Sequence, residues 1–145
     1  MEIKDVESEK IRKLRHSVLR KGKPFSTTKY NKDNQKDTFH LAVIEGEKTI
    51  TCATFYPEKT KHSKSEQQYR LRGMATDLEF RRKGFGKLLM EESFERLKQK
   101  KCDTLWCNAR LVAVDFYRSL GFETKGKMFN IRDIGPHYYM FKELF

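Results

Sequence analysis

The chain has 145 residues, 37% of them hydrophobic and 35% charged, and its 31 Lys and Arg outnumber its 20 Asp and Glu to leave a net charge of +11. That length fits one domain, residues 1–145, whose core needs no disulfide or structural metal, and the apolar content excludes a disordered chain. Cys52, Cys102 and Cys107 are odd in number without CxxC spacing, and His16, His40, His62 and His137 stand far apart, so no disulfide framework and no metal site are expected.

The polar start MEIKDVESEK does not read as a signal peptide and no apolar run is long enough to span a bilayer, so a cytoplasmic protein is expected. Met1 to Val6 reads as a short first strand. From Glu7 to Leu19 the apolar residues Ile11, Leu14, Val18 and Leu19 recur on one helical face, with Ser8 placed to cap the start. Lys21-Gly22-Lys23-Pro24 ends that helix, and polar Ser26 to Asp37 reads as a loop or a poorly formed helix. Phe39 to Glu45 and Thr49 to Tyr56 form a hairpin around Glu45-Gly46-Glu47, with Pro57 ending the second strand. Glu58 to Gln68 reads as a charged, mobile loop with a solvated His62, and Tyr69 to Thr76 as a strand.

After LEFRRKGFGKLL an amphipathic helix runs to about Lys100, burying Phe85, Leu88, Leu89, Met90, Phe94 and Leu97, with lysines at its C-terminal end where cations suit the helix dipole. Thr104 to Cys107 is a short strand ending at Asn108. Leu111 to Leu120 is a second helix, with Ala113, Phe116, Tyr117 and Leu120 on one side and Gly121 as its stop. Glu123 to Met128 and Tyr138 to Phe141 read as the last strands. The order predicts an α/β domain on a mixed sheet flanked by helices.

The segment that carries chemistry is Arg81-Arg82-Lys83-Gly84-Phe85-Gly86, between a strand and a helix. The first N–H groups of a helix lack internal partners and the macrodipole is positive there, so an anion is favoured. Gly84 and Gly86 let a diphosphate approach the backbone. Two common phosphate motifs fail: a P-loop needs Ser or Thr where Leu88 stands, and the dinucleotide fingerprint needs a small residue where Leu89 stands. The pattern present is Arg/Gln-x-x-Gly-x-Gly/Ala. Cys107 reads as a small buried apolar residue.

Together, RGMATDLEFRRKGFGKLL and NARLVAVDFYRSLGF resemble the GCN5-related N-acetyltransferase (GNAT) family, over nearly the whole chain. The resemblance implies a splayed sheet in which two neighbouring strands part to admit the pantetheine arm of acetyl-CoA. It implies that Met74, Ala75 and Thr76 offer backbone groups to that arm and to the thioester oxygen. It implies that Arg81, Arg82, Lys83, Gly84, Phe85, Gly86 and Lys87 hold the pyrophosphate, with Asn108, Ala113, Phe116 and Tyr117 also against the cofactor. Thr76 and Leu78 stand where the family often has Val and Pro; a backbone role survives both changes.

The implied reaction is direct acetylation of a primary amine, on a small molecule or a peptide. A backbone N–H at Met74 or Ala75 stabilises the oxyanion, and Tyr117 protonates the leaving thiolate. Asp77, Glu79 and His137 are candidates for the base that deprotonates the amine. Competing readings are a catalytically silent CoA-binding or regulatory module, a nucleic-acid-binding protein drawn from the +11 charge, Asn108 as a helix cap, and His137 as a loop hydrogen-bonder after Gly135-Pro136. The lysines are spread along the chain and no nucleic-acid motif accompanies them, which ranks nucleic acid last. A homodimer, common among relatives, is left open.

Overall fold

A computed structural model describes residues 1–145. The strands β1 (Glu2–Asp5), β2 (Phe39–Glu45), β3 (Lys48–Pro57), β4 (Gln68–Thr76), β5 (Thr104–Arg110), β6 (Glu123–Thr124), β7 (Phe129–Ile131) and β8 (Gly135–Glu143) form a mixed sheet in the order β1-β2-β3-β4-β5-β8-β6, with β7 on β8, and the chain groups into two compact units, Met1–Tyr56 with Leu71–Arg96 and Pro57–Arg70 with Leu97–Phe145. No helix is long and apolar enough to cross a membrane.

In the first unit, β1 (Glu2–Asp5) lies antiparallel to β2 (Phe39–Glu45), and β2 to β3 (Lys48–Pro57) around Gly46. Ile50 to Tyr56 of β3 are buried without interruption, as expected of a strand covered on both faces. Helix α1 (Glu9–Leu19) packs Ile11 and Leu14 against Ala42, Cys52 and Ala75, with Val18 and Leu19 at the margin; each large apolar side chain so buried contributes about 1.5–3 kcal/mol. Ser8 does not cap this helix as expected. Its backbone is already helical and its hydroxyl turns to the Glu9 carboxylate at 3.4 Å, leaving the cap without a side-chain bond. A 3-10 turn at Phe25–Thr28 follows in the polar loop.

Strand β4 (Gln68–Thr76) leads to helix α2 (Phe85–Gln99). Leu89, Met90, Phe94 and Leu97 are buried as expected, but Leu88 is 48% exposed because it lies in the first turn, on the solvent side. Buried Ser93 takes a core position by returning its hydroxyl to the Met90 carbonyl at 2.6 Å.

In the second unit the start of β4 pairs in parallel with β5 (Thr104–Arg110), Gln68 to Arg70 against Thr104 to Trp106; β4 runs on to Thr76 and β5 to Arg110 beyond that three-pair ladder. Strand β5 is longer than expected because it pairs along its whole length with β8 (Gly135–Glu143), Thr104 opposite Glu143 through Arg110 opposite His137. The expected helix from Leu111 divides into a 3-10 turn at Leu111–Ala113 and helix α3 (Val114–Ser119). Its buried side is Val114, Tyr117 and Leu120; Ala113 and Phe116 are only half-buried. The expected strand from Glu123 to Met128 is cut short to β6 (Glu123–Thr124), because Gly126 (φ 82) turns the chain toward β7 (Phe129–Ile131). His62 is not a solvated loop residue: its ring lies 4.3 Å from that of Tyr139 and is half-buried.

Candidate active site

The turn before α2 is built for close approach to its backbone. Arg82 (φ 63) and Gly84 (φ 86) both adopt the left-handed region, and a Cβ at Gly84 would meet nothing within 4 Å. The first hydrogen bond of the helix start runs from the Leu88 N–H to the Gly84 carbonyl at 3.0 Å. The N–H groups of Phe85, Gly86 and Lys87 therefore precede the helical ladder. Arg81, Arg82, Lys83 and Lys87 are exposed around them. Arg81 donates to the Thr76 carbonyl at 3.4 Å, tying the turn to the end of β4, while Lys83 lies 5.5 Å over the Phe80 ring. The turn can receive a polyanion through backbone donors, the helix dipole and side-chain cations together.

One strand earlier, Gly73 interrupts β4 with φ 68, and a Cβ there would stand 3.0 Å from the Tyr30 ring, 3.1 Å from its hydroxyl and 3.2 Å from Arg15 Nε. Only glycine fits. Half-buried Met74 follows, then buried Ala75 and half-buried Thr76, whose hydroxyl meets that of Thr51 at 3.2 Å, while the Cys52 thiol donates to the Gly73 carbonyl at 3.5 Å. Burial pushes the Cys52 thiol up to about 12, so it remains a neutral packing group.

Behind Gly73 lies a buried polar network that the apolar periodicity of α1 did not disclose. Arg15 is fully buried and bonds to both carboxylate oxygens of Asp33, to the Thr28 carbonyl at 2.7 Å and to the Thr54 hydroxyl at 2.6 Å, leaving Nε without a partner. His40 bridges the Thr54 hydroxyl and the Asp33 carbonyl. Burial pushes the Asp33 carboxyl up, but the Arg15 hydrogen bond, the Tyr30 N–H and the Arg15 charge outweigh it and hold it below its ordinary value. Burial pushes His40 down against the opposing pull of Asp33. The available signal was position: Arg15 stands at i+4 from Ile11, on the buried face.

In the second unit, Tyr117 is 6% exposed, its ring 5.2 Å from Phe116 and 5.3 Å from Phe122, and burial holds its phenol well above the usual range. Its hydroxyl makes no hydrogen bond, which leaves the proton undirected by the protein. Asn108 is half-buried within β5 opposite Tyr139, so it is not the cap of α3; that position falls to Ala113.

The three base candidates differ in surroundings. Asp77 accepts the Glu79 N–H, and both carboxylates share Lys48, at 3.8 and 3.6 Å. His137 is not in the turn after Pro136 but in β8, 3% exposed and opposite Arg110. Its Nδ1 lies 2.7 Å from the Gly135 carbonyl. A carbonyl only accepts, so Nδ1 carries the hydrogen and Nε2 carries the lone pair of the neutral ring. No three His, Cys, Asp or Glu side chains gather where they can share a metal ion.

Comparison with known proteins gives a consistent picture. The profile of the Acetyltransferase (GNAT) family matches residues 8–122. The chain is 33% identical over 144 residues to the "Uncharacterized N-acetyltransferase YitI" of Bacillus subtilis (strain 168), covering 99% of this chain and 97% of that one. Among solved structures, a putative N-acetyltransferase from Lactobacillus plantarum shares the fold at TM-score 0.82 and 18% identity, with all of both chains covered. An aminoglycoside 6'-N-acetyltransferase complexed with coenzyme A does so at TM-score 0.80 and 11% identity, covering 100% of this chain and 98% of the other.

Proposed function

The chain belongs to the acetyltransferase (GNAT) family and is an acyltransferase, and on that premise we propose that residues 1–145 serve as one catalytic domain that transfers the acetyl group of acetyl-CoA to a primary amine, by direct attack in a ternary complex. The observation that carries the reading is the turn from Arg81 to Gly86, where an open left-handed glycine, free helix N–H groups and exposed cations coincide. Those features fit a pyrophosphate, and the residues assigned to it are Arg81, Arg82, Lys83, Gly84, Phe85, Gly86 and Lys87.

Bound there, acetyl-CoA supplies an activated acetyl thioester. Met74, Ala75 and Thr76 hold the pantetheine arm through their backbone. The Met74 N–H is the assigned donor to the thioester oxygen, a fixed dipole that needs no reorganisation as charge grows there. Tyr117 holds the proton for the leaving sulfur; a phenol kept neutral by burial retains that proton throughout the working range. Asn108, Ala113 and Phe116 complete the cofactor contacts. His137, with its lone pair on Nε2, is the assigned base, since Asp77 and Glu79 are both paired with Lys48. The acceptor is a small-molecule or peptide amine, and the three free cysteines support a reducing compartment, the cytoplasm.

The test is release of free CoA thiol from acetyl-CoA across a panel of amines, with acetyl-CoA binding measured separately by calorimetry. Turnover with at least one primary amine is expected. Tight binding of acetyl-CoA without turnover of any amine replaces this reading with that of a silent CoA-binding module.

A further inference from the structure

We propose that Arg72 is the acceptor-recognition residue: its guanidinium, held on the ring of Tyr30, binds a carboxylate carried by the amine that is acetylated. The inference rests on the acetyltransferase reading above and names the substrate class for the same site.

Two guanidinium groups lie on the one buried ring of Tyr30, Arg15 at 3.9 Å and Arg72 at 4.0 Å from its centroid. Their charges are treated differently. Arg15 gives both terminal nitrogens to Asp33, so its charge is neutralised within the fold. Arg72 has the ring contact and no hydrogen bond or ion pair, although it is half-buried. Stacking occupies the face of a guanidinium and leaves its N–H groups, which point outward in the plane, free for partners. Arg72 is thus a fork of donors held in place, partly out of water, with no anion supplied by the chain. A planar carboxylate is the ligand that matches such a fork with two parallel bonds.

Its position gives that ligand a purpose. Arg72 and Met74 lie two residues apart on β4, with Gly73 between them fixed against Tyr30 and Arg15. At about 3.3 Å per residue, their Cα atoms are within about 7 Å of each other. An amine presented to the thioester at Met74 can therefore carry a carboxylate a few bonds away that reaches Arg72. The phosphates of the cofactor have their own cations at the Arg81–Gly86 turn. Polyamines, by contrast, would bring a second cation to an unneutralised guanidinium.

The experiment pairs acceptors in the thiol-release assay: ω-amino carboxylates of increasing chain length, each beside its own carboxamide and the matching diamine. Wild-type protein is expected to prefer the best carboxylate over its carboxamide by roughly tenfold or more in kcat/KM, the range of a charge-assisted hydrogen-bonded pair. Arg72→Gln is expected to bring that ratio to near one, chiefly through KM for the acceptor, with KM for acetyl-CoA unmoved. Arg72→Lys, which keeps the charge but not the fork, is expected to fall between them. Thermal unfolding of both variants checks that the fold survives, and the Lys variant carries the test if the Gln variant fails to fold. Equal use of carboxylate and carboxamide by the wild type, a preference for the diamine, or a preference that survives Arg72→Gln overturns the proposal while leaving the acetyltransferase reading intact. Failure of every amine, with or without acetyl-CoA bound, overturns both.

Discussion

Arg15 and Asp33 meet through two parallel contacts, Nη1 to Oδ2 at 2.8 Å and Nη2 to Oδ1 at 3.0 Å, with side chains 0% and 1% exposed. The pair ties α1 to the loop that carries Tyr30, and its remaining Arg15 bonds reach Thr28 and Thr54. Removing one partner leaves the other buried without compensation. Arg15→Met is therefore expected to cost about 3–5 kcal/mol in urea unfolding, and Arg15→Met with Asp33→Leu to recover much of that loss. A single variant within about 1 kcal/mol of wild type would show that water replaces the guanidinium and that the pair is not what holds the loop.

The same network sets the response to acid. His40 and Asp33 both have folded pKa values below their ordinary ones. In each case the unfolded chain binds protons at a higher pH than the folded one, so stability rises with pH between the two values. The His40 contribution is complete above about 6.5 and is lost as pH falls through its lowered value; the Asp33 contribution is complete above about 3.9 and is lost further down. Melting temperature is expected to be flat near neutrality, to decline on acidification below about 6.5, and to fall again in the acid range. His40→Gln should remove the first decline. A first decline that persists in that variant would assign it to another group.

Burial, not pairing, governs the three cysteines. Cys52 and Cys102 are pushed up to about 12 and about 11, and Cys107 higher still, in each case by desolvation. Native protein at pH 8 therefore presents almost no thiolate, and the thiolate is the reactive form. An aromatic disulfide reagent is expected to release no chromophore from folded protein and three equivalents after denaturation, matching the three free cysteines. Rapid reaction of one thiol in the native state would reveal local opening around it.

Gly84 separates a binding role from a folding role. An alanine there meets no atom within 4 Å but must accept φ 86. The strain is worth roughly 1–2 kcal/mol, while the new methyl group projects from the backbone assigned to the pyrophosphate. Gly84→Ala is expected to lower the melting temperature modestly and to raise KM for acetyl-CoA much more than KM for the amine. Equal effects on both would mean that the turn acts through the fold and not through the cofactor.

What the sequence disclosed and what it concealed divide along physical lines. Helices α1 and α2 were legible because their apolar residues repeat with the helical period, and the hairpin of β2 and β3 because β-branched and aromatic runs flank the Glu45-Gly46-Glu47 turn. The turn before α2 was legible because Gly84 and the basic run sit where a strand meets a helix. Arg15 was hidden because a helical face is recognised by its apolar members, and its partner Asp33 lies 18 positions away in a polar loop. Gly73 was hidden because a glycine within an alternating strand has no local mark; its need arises only when Tyr30 packs against it. The full length of β5 and the start of β8 at Gly135 depend on pairing with each other, a contact between segments remote in sequence. The split at Leu111 leaves no mark in the sequence because a 3-10 turn and the α-helix that follows share nearly the same apolar pattern.

Tyr117 offers the sharpest test of chemistry apart from packing. Its ring is held by Phe116 and Phe122, and its hydroxyl bonds to nothing in the protein. Tyr117→Phe keeps the ring and removes only that hydroxyl, so the fold should lose less than about 1 kcal/mol. If the hydroxyl supplies the proton to the leaving sulfur, kcat should fall by about a hundredfold, the lower range for a positioned general acid, with acetyl-CoA affinity unchanged. The pH dependence follows from the raised pKa: the neutral phenol is the acid, and burial keeps it neutral beyond about pH 10, its ordinary value. Wild-type kcat should therefore show no alkaline decline from this group anywhere in the working range. Against a thioester with a more acidic leaving thiol the variant should regain part of its lost rate, because that sulfur needs the proton less. An unchanged kcat in Tyr117→Phe, or a deficit that does not narrow with the better leaving group, would remove Tyr117 from the proton transfer and leave it as a packing residue of α3.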